Sequence, residues 1–339
     1  MKKKILLVSF SDNADHQDTI FGLYEALEDE GKQDAYLLAI KTPKVALRRS
    51  SHTWLVDCPE RPGITKKTFN IFLLTSLIKK IRKENFDVIY FESLHVWNLP
   101  IMMFSGNACT YQVIHEVIPH EGDKQVKMVD LMNKAVVKLS DHIVLRNKKY
   151  IDELVERYGI EKERVHYLEL WRRFPKFTEP RYTKRVLFFG RINPYKGVDN
   201  LLEIARLCPD IHFDVIGRVD PQMQGIVDAL KKLPNVFLNN NYVSDDEMKE
   251  AFINADWVIL PYNSASQSGV IIDAYKYSRP VIAFDVGAAS EQVEDGISGF
   301  LIENKKNQLF AKKIKHISAL SVNIFKKYSK DAYSFGLVK

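Results

Sequence analysis

Short runs that are apolar on both faces recur along this sequence, separated by segments of helical periodicity, and the alternation starts afresh near residue 185. In the first half the strand-like runs are Ile5–Phe10, Ala35–Ile40, Thr53–Val56, Asp87–Glu92, Thr110–His115, His142–Arg146 and Val165–Leu168. In the second they are Val186–Phe189, Phe213–Ile216, Val236–Leu238, Trp257–Leu260 and Pro280–Phe284. Strands apolar on both faces belong to parallel sheets covered by helices on each side. The intervening helical patterns are Gln125–Leu139, Tyr150–Tyr158, Val198–Leu207, Gln222–Leu233, Asp246–Asn254 and Val270–Tyr277. Gly159 is placed as a C-terminal stop for one of them, and Ser244 with Glu247 as the start of another. The pattern predicts an α/β protein of two doubly wound, Rossmann-like units in tandem.

The predicted divisions are an N-terminal domain over 1–170, a linker of mixed Pro, Arg, Lys and Thr over 171–184, and a C-terminal domain over 185–320. A last helix over 321–339 is expected, with a return to the N-terminal domain as one option. At 46% hydrophobic residues the composition is globular. Cys58, Cys109 and Cys208 form no CxxC pair and no even framework, so neither a disulfide scaffold nor a cysteine zinc site is suggested, and a reducing compartment is the natural reading. Lys2, Lys3 and Lys4 resemble a signal-peptide start. The apolar run behind them is too short and meets Asp12 and Asp15 at once, so a first buried strand is expected instead. No run reaches the roughly 18 apolar residues of a membrane span. The expected location is the cytoplasm, with attachment to the inner membrane surface as the alternative. A net charge of +6 favours anionic ligands without naming one. Basic residues are scattered rather than interleaved with aromatics along a stripe, which argues against nucleic acid.

Three strand-to-helix junctions in the second half carry the chemistry. In Phe189-Gly190-Arg191-Ile192-Asn193-Pro194-Tyr195-Lys196-Gly197, two cations sit five residues apart on a loop that leaves a strand end, where α/β sheets bind ligands. A solvated loop is the plain alternative. In Leu260-Pro261-Tyr262-Asn263-Ser264-Ala265-Ser266-Gln267-Ser268-Gly269-Val270, a polar loop opens a helix whose first N–H groups suit a phosphate, and Gly269 removes a blocking Cβ. Asp273, one turn in, is within reach of ribose hydroxyls. An ordinary turn capped by Ser266 or Ser268 is the alternative. In Phe284-Asp285-Val286-Gly287-Ala288-Ala289-Ser290-Glu291, Ser290 is the expected cap.

Taken in order, these words resemble a known family. The stretch Arg185 to Ile302 is similar to the C-terminal domain of retaining glycosyltransferases of family 4, the group 1 glycosyl transferases. The matching words are Gly190-Arg191-x4-Lys196-Gly197, Pro261-Tyr262-x3-Ser266-Gln267-Ser268-Gly269, and Asp285-Val286-Gly287-x3-Glu291-x4-Asp295-Gly296-x2-Gly299. The resemblance implies a GT-B fold, two Rossmann-like domains facing a central cleft. It implies that Arg191 and Lys196 hold the donor diphosphate and stabilise its charge as the sugar leaves. The backbone from Gly190 and around Ser268, Gly269 and Val270 would meet the donor. Asp273 stands where the family has the second glutamate of a Glu-x7-Glu motif. The first falls on Ala265, which leaves Gln267 or a backbone amide to contact the sugar. Gly217 and Arg218 fall near the nucleobase.

In the first half, His115-Glu116-Val117-Ile118-Pro119-His120 ends a strand, and the resemblance gives His115 the transferred sugar, with Glu116 in support. The family's first loop is usually glycine-rich. Here it is Phe10-Ser11-Asp12-Asn13-Ala14-Asp15-His16, so a sugar or acceptor contact by His16 competes with a simple helix-start role. No cofactor and no metal are expected: Asp-x-Asp is absent, and fixed cations with a helix dipole would take the metal's place. Gly-x-Gly is absent too, which excludes the dehydrogenase fingerprint.

The resemblance implies transfer of a hexosyl unit with retention, from a UDP- or GDP-sugar to a saccharide or lipid-linked acceptor, in surface polysaccharide biosynthesis. The alternative is a non-catalytic GT-B subunit that binds nucleotide and supports a partner, prompted by Ala265 and the glycine-free first loop. Lys66–Lys83 reads as a basic helix rich in aliphatic and aromatic residues. It is either a core-facing helix with a solvated lysine end or a contact with an anionic membrane.

Overall fold

A computed structural model describes residues 2–41, 51–59, 63–118, 126–241 and 243–338. The chain divides into two compact units, Met1–Arg172 and Arg173–Lys339.

Among the described residues the N-terminal unit has the strands β1 (Lys4–Ser9), β2 (Asp34–Ile40), β3 (Thr53–Val56), β4 (Val88–Phe91), β5 (Cys109–Ile114), β6 (His142–Leu145) and β7 (Val165–Tyr167). They pair in the order β3-β2-β1-β4-β5-β6-β7, all parallel. Its helices are α1 (Ala14–Glu30), α2 (Ile71–Glu84), α3 (Asn98–Phe104), α4 (Val126–Leu139) and α5 (Ile151–Tyr158). The two apolar faces read from the sequence are both used. Leu6, Val8 and Leu38 pack with Ile78 and Ile81 of α2, while Leu7, Leu37 and Ala39 pack with Ile20 and Phe21 of α1. Alternate residues of one strand therefore feed opposite cores, which is why these strands carry no polar face.

The C-terminal unit repeats the plan with β8 (Arg185–Phe189), β9 (His212–Ile216), β10 (Val236–Asn239), β11 (Trp257–Leu260), β12 (Val281–Phe284) and β13 (Gly299–Ile302). Their order is β10-β9-β8-β11-β12-β13, again all parallel. The helices are α6 (Val198–Leu207), α7 (Gln224–Lys231), α8 (Asp245–Ile253), α9 (Gly269–Lys276), α10 (Ala289–Gln292), α11 (Asn307–Ser318) and α12 (Val322–Val338). In each sheet the first strand of the unit lies centrally, and the chain reverses its direction of winding beside it. In the second unit that switch point lies between β8 and β11, whose carboxyl ends are where such sheets bind ligands.

Several local expectations need correction. Lys66–Lys83 is not one helix. A 3-10 turn over Lys66–Phe69 ends at Asn70, whose side chain accepts the amide of Leu73 at 3.1 Å and starts α2. The Gln222–Leu233 segment splits in the same way, into a turn at Pro221–Met223 and α7. Ser290 lies inside α10 rather than capping it, and Ala288 occupies the cap position. β13 was not anticipated, since its four residues are bounded by the glycine-rich turn that reads as a motif. The predicted cap at Ser244 forms a full capping box with Glu247, and Gly159 ends α5 in the left-handed conformation. Pro119, His120 and Gln125 lie outside the described residues.

The segment between the sheets is tied down at each end within its own unit. Trp171 packs on Gly22 of α1, and Arg172 donates to Asp15 and to Thr19. Farther on, the carboxylate of Asp256 accepts the amides of Thr183 and Lys184 at 2.7 and 2.6 Å, and its pKa is raised by burial against that support. The last helix, α12, packs along α9, with Tyr328 against Trp257 and Phe335 against Tyr275. Among the described residues no helix is long and apolar enough to cross a membrane.

Candidate functional site

At the switch point of the C-terminal sheet, β8 ends at Phe189 and the chain turns through Gly190 into a 3-10 turn at Pro194–Lys196. This loop brings Lys196 back over the strand end. Its side chain is buried, its Nζ donates to the phenolic oxygen of Tyr262 at 2.7 Å, and it lies 4.1 Å from that ring's centroid. Burial holds the Tyr262 hydroxyl well above its usual pKa, so it meets the ammonium as a neutral phenol. A methyl group placed on Gly190 would stand 3.6 Å from Lys196 Nζ and 3.8 Å from Val270 Cγ2. Lys196, Gly190 and the first turn of α9 therefore converge.

The start of α9 has the features of an anion site. Ser268 occupies the cap position without a side-chain cap bond, which leaves the amides of Gly269 and Val270 uncapped by it. Gln292 holds the loop from behind: its amide accepts from Ser268 N at 2.7 Å and donates to Ser268 O at 3.0 Å. Between these elements lies a cavity of about 10 Å³ bordered by Tyr262, Ala265, Ser268 and Gln292. That is room for about one water.

Close packing fixes these loops together. Gly197 has a φ of +62°, and a Cβ there would stand 1.8 Å from the carbonyl oxygen of Pro261. Gly287 has a φ of +57°, and its Cβ would stand 1.3 Å from the carbonyl oxygen of Ala265. Both positions need the left-handed region and the missing side chain. Asn200 on α6 donates to Pro261 O at 3.0 Å and to Asn263 Oδ1 at 2.9 Å, while Asn263 N donates to Tyr195 O at 2.8 Å. The three motif words of the sequence are one assembly at one edge of a sheet.

The other predicted residues of this unit are placed less tightly. Arg191 is exposed on the same loop as Lys196, and its side chain does not enter the Lys196–Tyr262 contact. Arg218 is exposed as well, and its carbonyl accepts from Ile192 N at 2.8 Å, which pins the exit of β9 to that of β8. Gln267 and Asp273 are half-buried, the latter one turn inside α9.

The carboxyl edge of the N-terminal sheet carries a second cluster. His115 follows β5, and its Nε2 lies 2.7 Å from the carbonyl oxygen of Glu92 and 3.3 Å from Glu92 Oε1. A carbonyl oxygen can only accept, so this contact puts a proton on Nε2. His16, buried in the first turn of α1, stacks on His115 with ring centroids 4.2 Å apart at 16°. Glu116 is half-buried, and its carbonyl accepts from Asn133. Beneath His115, the wholly buried Glu92 carboxylate accepts from Arg146 and, at 3.0 Å, from the Tyr90 hydroxyl. Burial alone would raise the Glu92 pKa, but the Arg146 guanidinium and the His115 ring hold it below the ordinary range.

Glu92, Arg146, Arg172, Asn200 and Gln292 were not singled out from the sequence. Glu92 and Arg146 did leave a signal: each is a charge directly following an apolar run, at the strand end where ligands sit. Asn200 and Gln292 left none, since either is an ordinary helix residue until the loops close on it. Among the described residues no group of three or more His, Cys, Asp or Glu is arranged to hold a metal ion.

The family model of glycosyl transferases group 1 matches residues 183–319, which takes in most of the C-terminal unit. An uncharacterized 41.2 kDa protein in the cps region of Klebsiella pneumoniae is 24% identical over 272 residues, covering 73% of this chain and 75% of that one. The D-inositol 3-phosphate glycosyltransferase of Mycolicibacterium gilvum is 30% identical over 148 residues, 41% of this chain but only 33% of the enzyme. Anabaena Alr3699/HepE, solved in complex with UDP, superposes with a TM-score of 0.70 at 16% identity, covering 99% of this chain and 94% of that one. The strand orders, the three assembled motif words and these likenesses agree: residues 183–319 are similar to the group 1 glycosyl transferases, and the chain has the two-domain α/β fold of the GT-B glycosyltransferases.

Proposed function

We propose that the protein moves a hexosyl unit from a UDP- or GDP-sugar to a saccharide or lipid-linked acceptor, with retention, during assembly of a surface polysaccharide. The observation that carries this reading is the convergence of Lys196, Gly190 and the uncapped start of α9 at the switch point of the C-terminal sheet. A buried ammonium and helix amides on one spot suit a diphosphate whose charge grows as the sugar–oxygen bond breaks. UDP is favoured as the nucleotide because HepE of Anabaena, which shares the fold, was solved with it. The surface-polysaccharide setting draws on the Klebsiella relative from a cps region.

In this reading Lys196 and the α9 amides take the diphosphate, and Arg191 closes on it from the exposed side of the same loop. Asp273 meets the ribose, Arg218 the base, and Gln267 or a loop amide the sugar. His115 contacts the transferred sugar, with His16 and Glu116 beside it. The acceptor oxygen bonds to the anomeric carbon as the bond to the diphosphate breaks, and the acceptor's proton passes to a released phosphate oxygen. Fixed positive groups take the role a metal ion has elsewhere.

Thermal melting with a panel of nucleotides tests the reading, since a ligand that binds only the folded state raises the midpoint. UDP or GDP is expected to stabilise the protein and AMP is not. A panel without a shift, together with no release of nucleotide from any donor sugar, would refute it.

A further inference from the structure

The N-terminal unit turns apolar and cationic residues outward where the Lys66–Phe69 turn runs into α2. Phe69 is 80% exposed, Ile71 63% and Phe72 90%. Side chains of this size are usually at least half hidden in a folded domain, and a cluster of them marks a contact surface. The cause is local. Asn70 starts α2 in a register that sends Leu77, Ile78 and Ile81 into the core. At helical spacing this leaves Phe72, Thr75, Ser76, Lys79 and Lys83 along the outer side. The neighbouring α3 exposes Met103 and Phe104, and the Trp97 indole at its start donates to Thr68 O at 3.2 Å, tying α3 to the aromatic turn.

Charge says what would cover this face. Between residues 66 and 84 there are six cations and one carboxylate. That carboxylate, Glu84, is held by Lys4; Lys67 is held by Asp57, and Lys80 lies 3.9 Å over the Trp54 ring. Lys66, Lys79, Arg82 and Lys83 are left exposed beside the aromatic residues. A second copy of the chain meeting this face about a two-fold axis would set these cations against themselves.

We propose that this face docks on an anionic lipid bilayer, with Phe69, Ile71 and Phe72 at the level of the headgroups and upper acyl chains and Lys79 and Lys83 on lipid phosphates. The contact stands on the N-terminal unit alone and survives if the donor-site reading fails. It would hold the enzyme at the surface where a lipid-linked acceptor resides.

Cosedimentation of the full chain with phosphatidylcholine vesicles, with and without phosphatidylglycerol, tests this. Binding is expected to the anionic vesicles and to weaken with salt. Phe69→Ser with Phe72→Ser should abolish it, and Lys79→Glu with Lys83→Glu should weaken it by at least about fivefold for each lysine. These side chains are exposed, so an unchanged thermal midpoint checks that each variant folds. No sedimentation with anionic vesicles, or variants that bind as the wild type does, would overturn the proposal. So would a dimer, seen by light scattering, that becomes monomeric in the phenylalanine variant, because the face would then be a self-association surface. A failed nucleotide panel with intact vesicle binding would remove only the donor reading.

Discussion

Lys196 and Tyr262, 66 residues apart in sequence, meet at the switch point of one sheet, with the ammonium 2.7 Å from the phenolic oxygen and 4.1 Å from the ring centroid. The tyrosine fixes the lysine by a hydrogen bond and by its π-face together, and does so as a neutral group. A carboxylate in the same place would spend the lysine's charge before the substrate arrived. Lys196→Ala is expected to lower transfer by about a hundredfold or more, the scale of removing one charge-stabilising donor. Tyr262→Phe keeps the ring and loses the acceptor, and a loss of about fivefold is expected, corresponding to one net hydrogen bond of about 1 kcal/mol. Initial rates of donor turnover check both, and a wild-type rate in Lys196→Ala would remove the assignment.

The Gly287 backbone lies so close to Ala265 that its substitution by alanine is expected to cost about 2 kcal/mol or more. The new methyl group meets a backbone carbonyl and the residue must hold a positive φ. Nucleotide binding should fall with it, because the displaced loop is the one that opens α9. Urea unfolding and nucleotide-induced stabilisation of Gly287→Ala measure the two effects.

Glu92 and Arg146 form a buried ion pair under His115, and breaking one side of such a pair costs about 3–5 kcal/mol. Glu92→Gln should therefore be strongly destabilising, and adding Arg146→Met should recover part of the loss. The folded carboxyl titrates below its ordinary value of 4.5, so as pH falls the unfolded chain takes up the proton first. The pair's contribution is complete above about pH 5 and is lost as pH falls through the folded pKa. Urea midpoints followed below pH 5 should drop less steeply in the double variant than in the wild type.

His95 is buried between Pro59 and Trp97, and burial lowers its pKa to about 4. The unfolded imidazole takes its proton near pH 6.5, so the folded state loses stability as pH falls from 6.5 to about 4. The full loss is about 3 kcal/mol. This window opens above that of Glu92 and overlaps it below about pH 5. His95→Gln should flatten the stability profile there while leaving the drop below pH 4.5, and an unchanged slope in the variant would rule the histidine out.

Donor turnover is expected to survive a metal chelator, since in the proposed mechanism Lys196 and the α9 amides carry the diphosphate charge. Assays in excess EDTA, with and without added magnesium, check this, and complete loss restored by metal would contradict it.

The doubly wound architecture was legible in the sequence because strands that feed two cores, as Leu6 and Leu7 do, must be apolar on both faces. The motif words were legible too, since a glycine at a strand end and a lysine six residues later keep their meaning without the rest of the molecule. Helix interruptions were harder. Asn70 splits Lys66–Lys83 through one side-chain bond to a backbone amide, and apolar periodicity runs straight through such a break. Phe72 shows the same limit: its position within an apolar pattern predicts burial, but the register set by Asn70 leaves it exposed.

By itself the sequence determined the parallel sheets and the two-unit plan, and it singled out the motif words on which the proposed diphosphate site rests, because these depend on patterns within a strand, a loop or a helix turn. Only the tertiary structure decided that Lys196 rests on Tyr262, that Gln292 holds the loop before α9, and that Glu92 and Arg146 lie beneath His115. Those relationships join residues from 23 to 66 positions apart. The energies involved, desolvation of a charge and close contact with a carbonyl, exist only once the strands have been laid side by side.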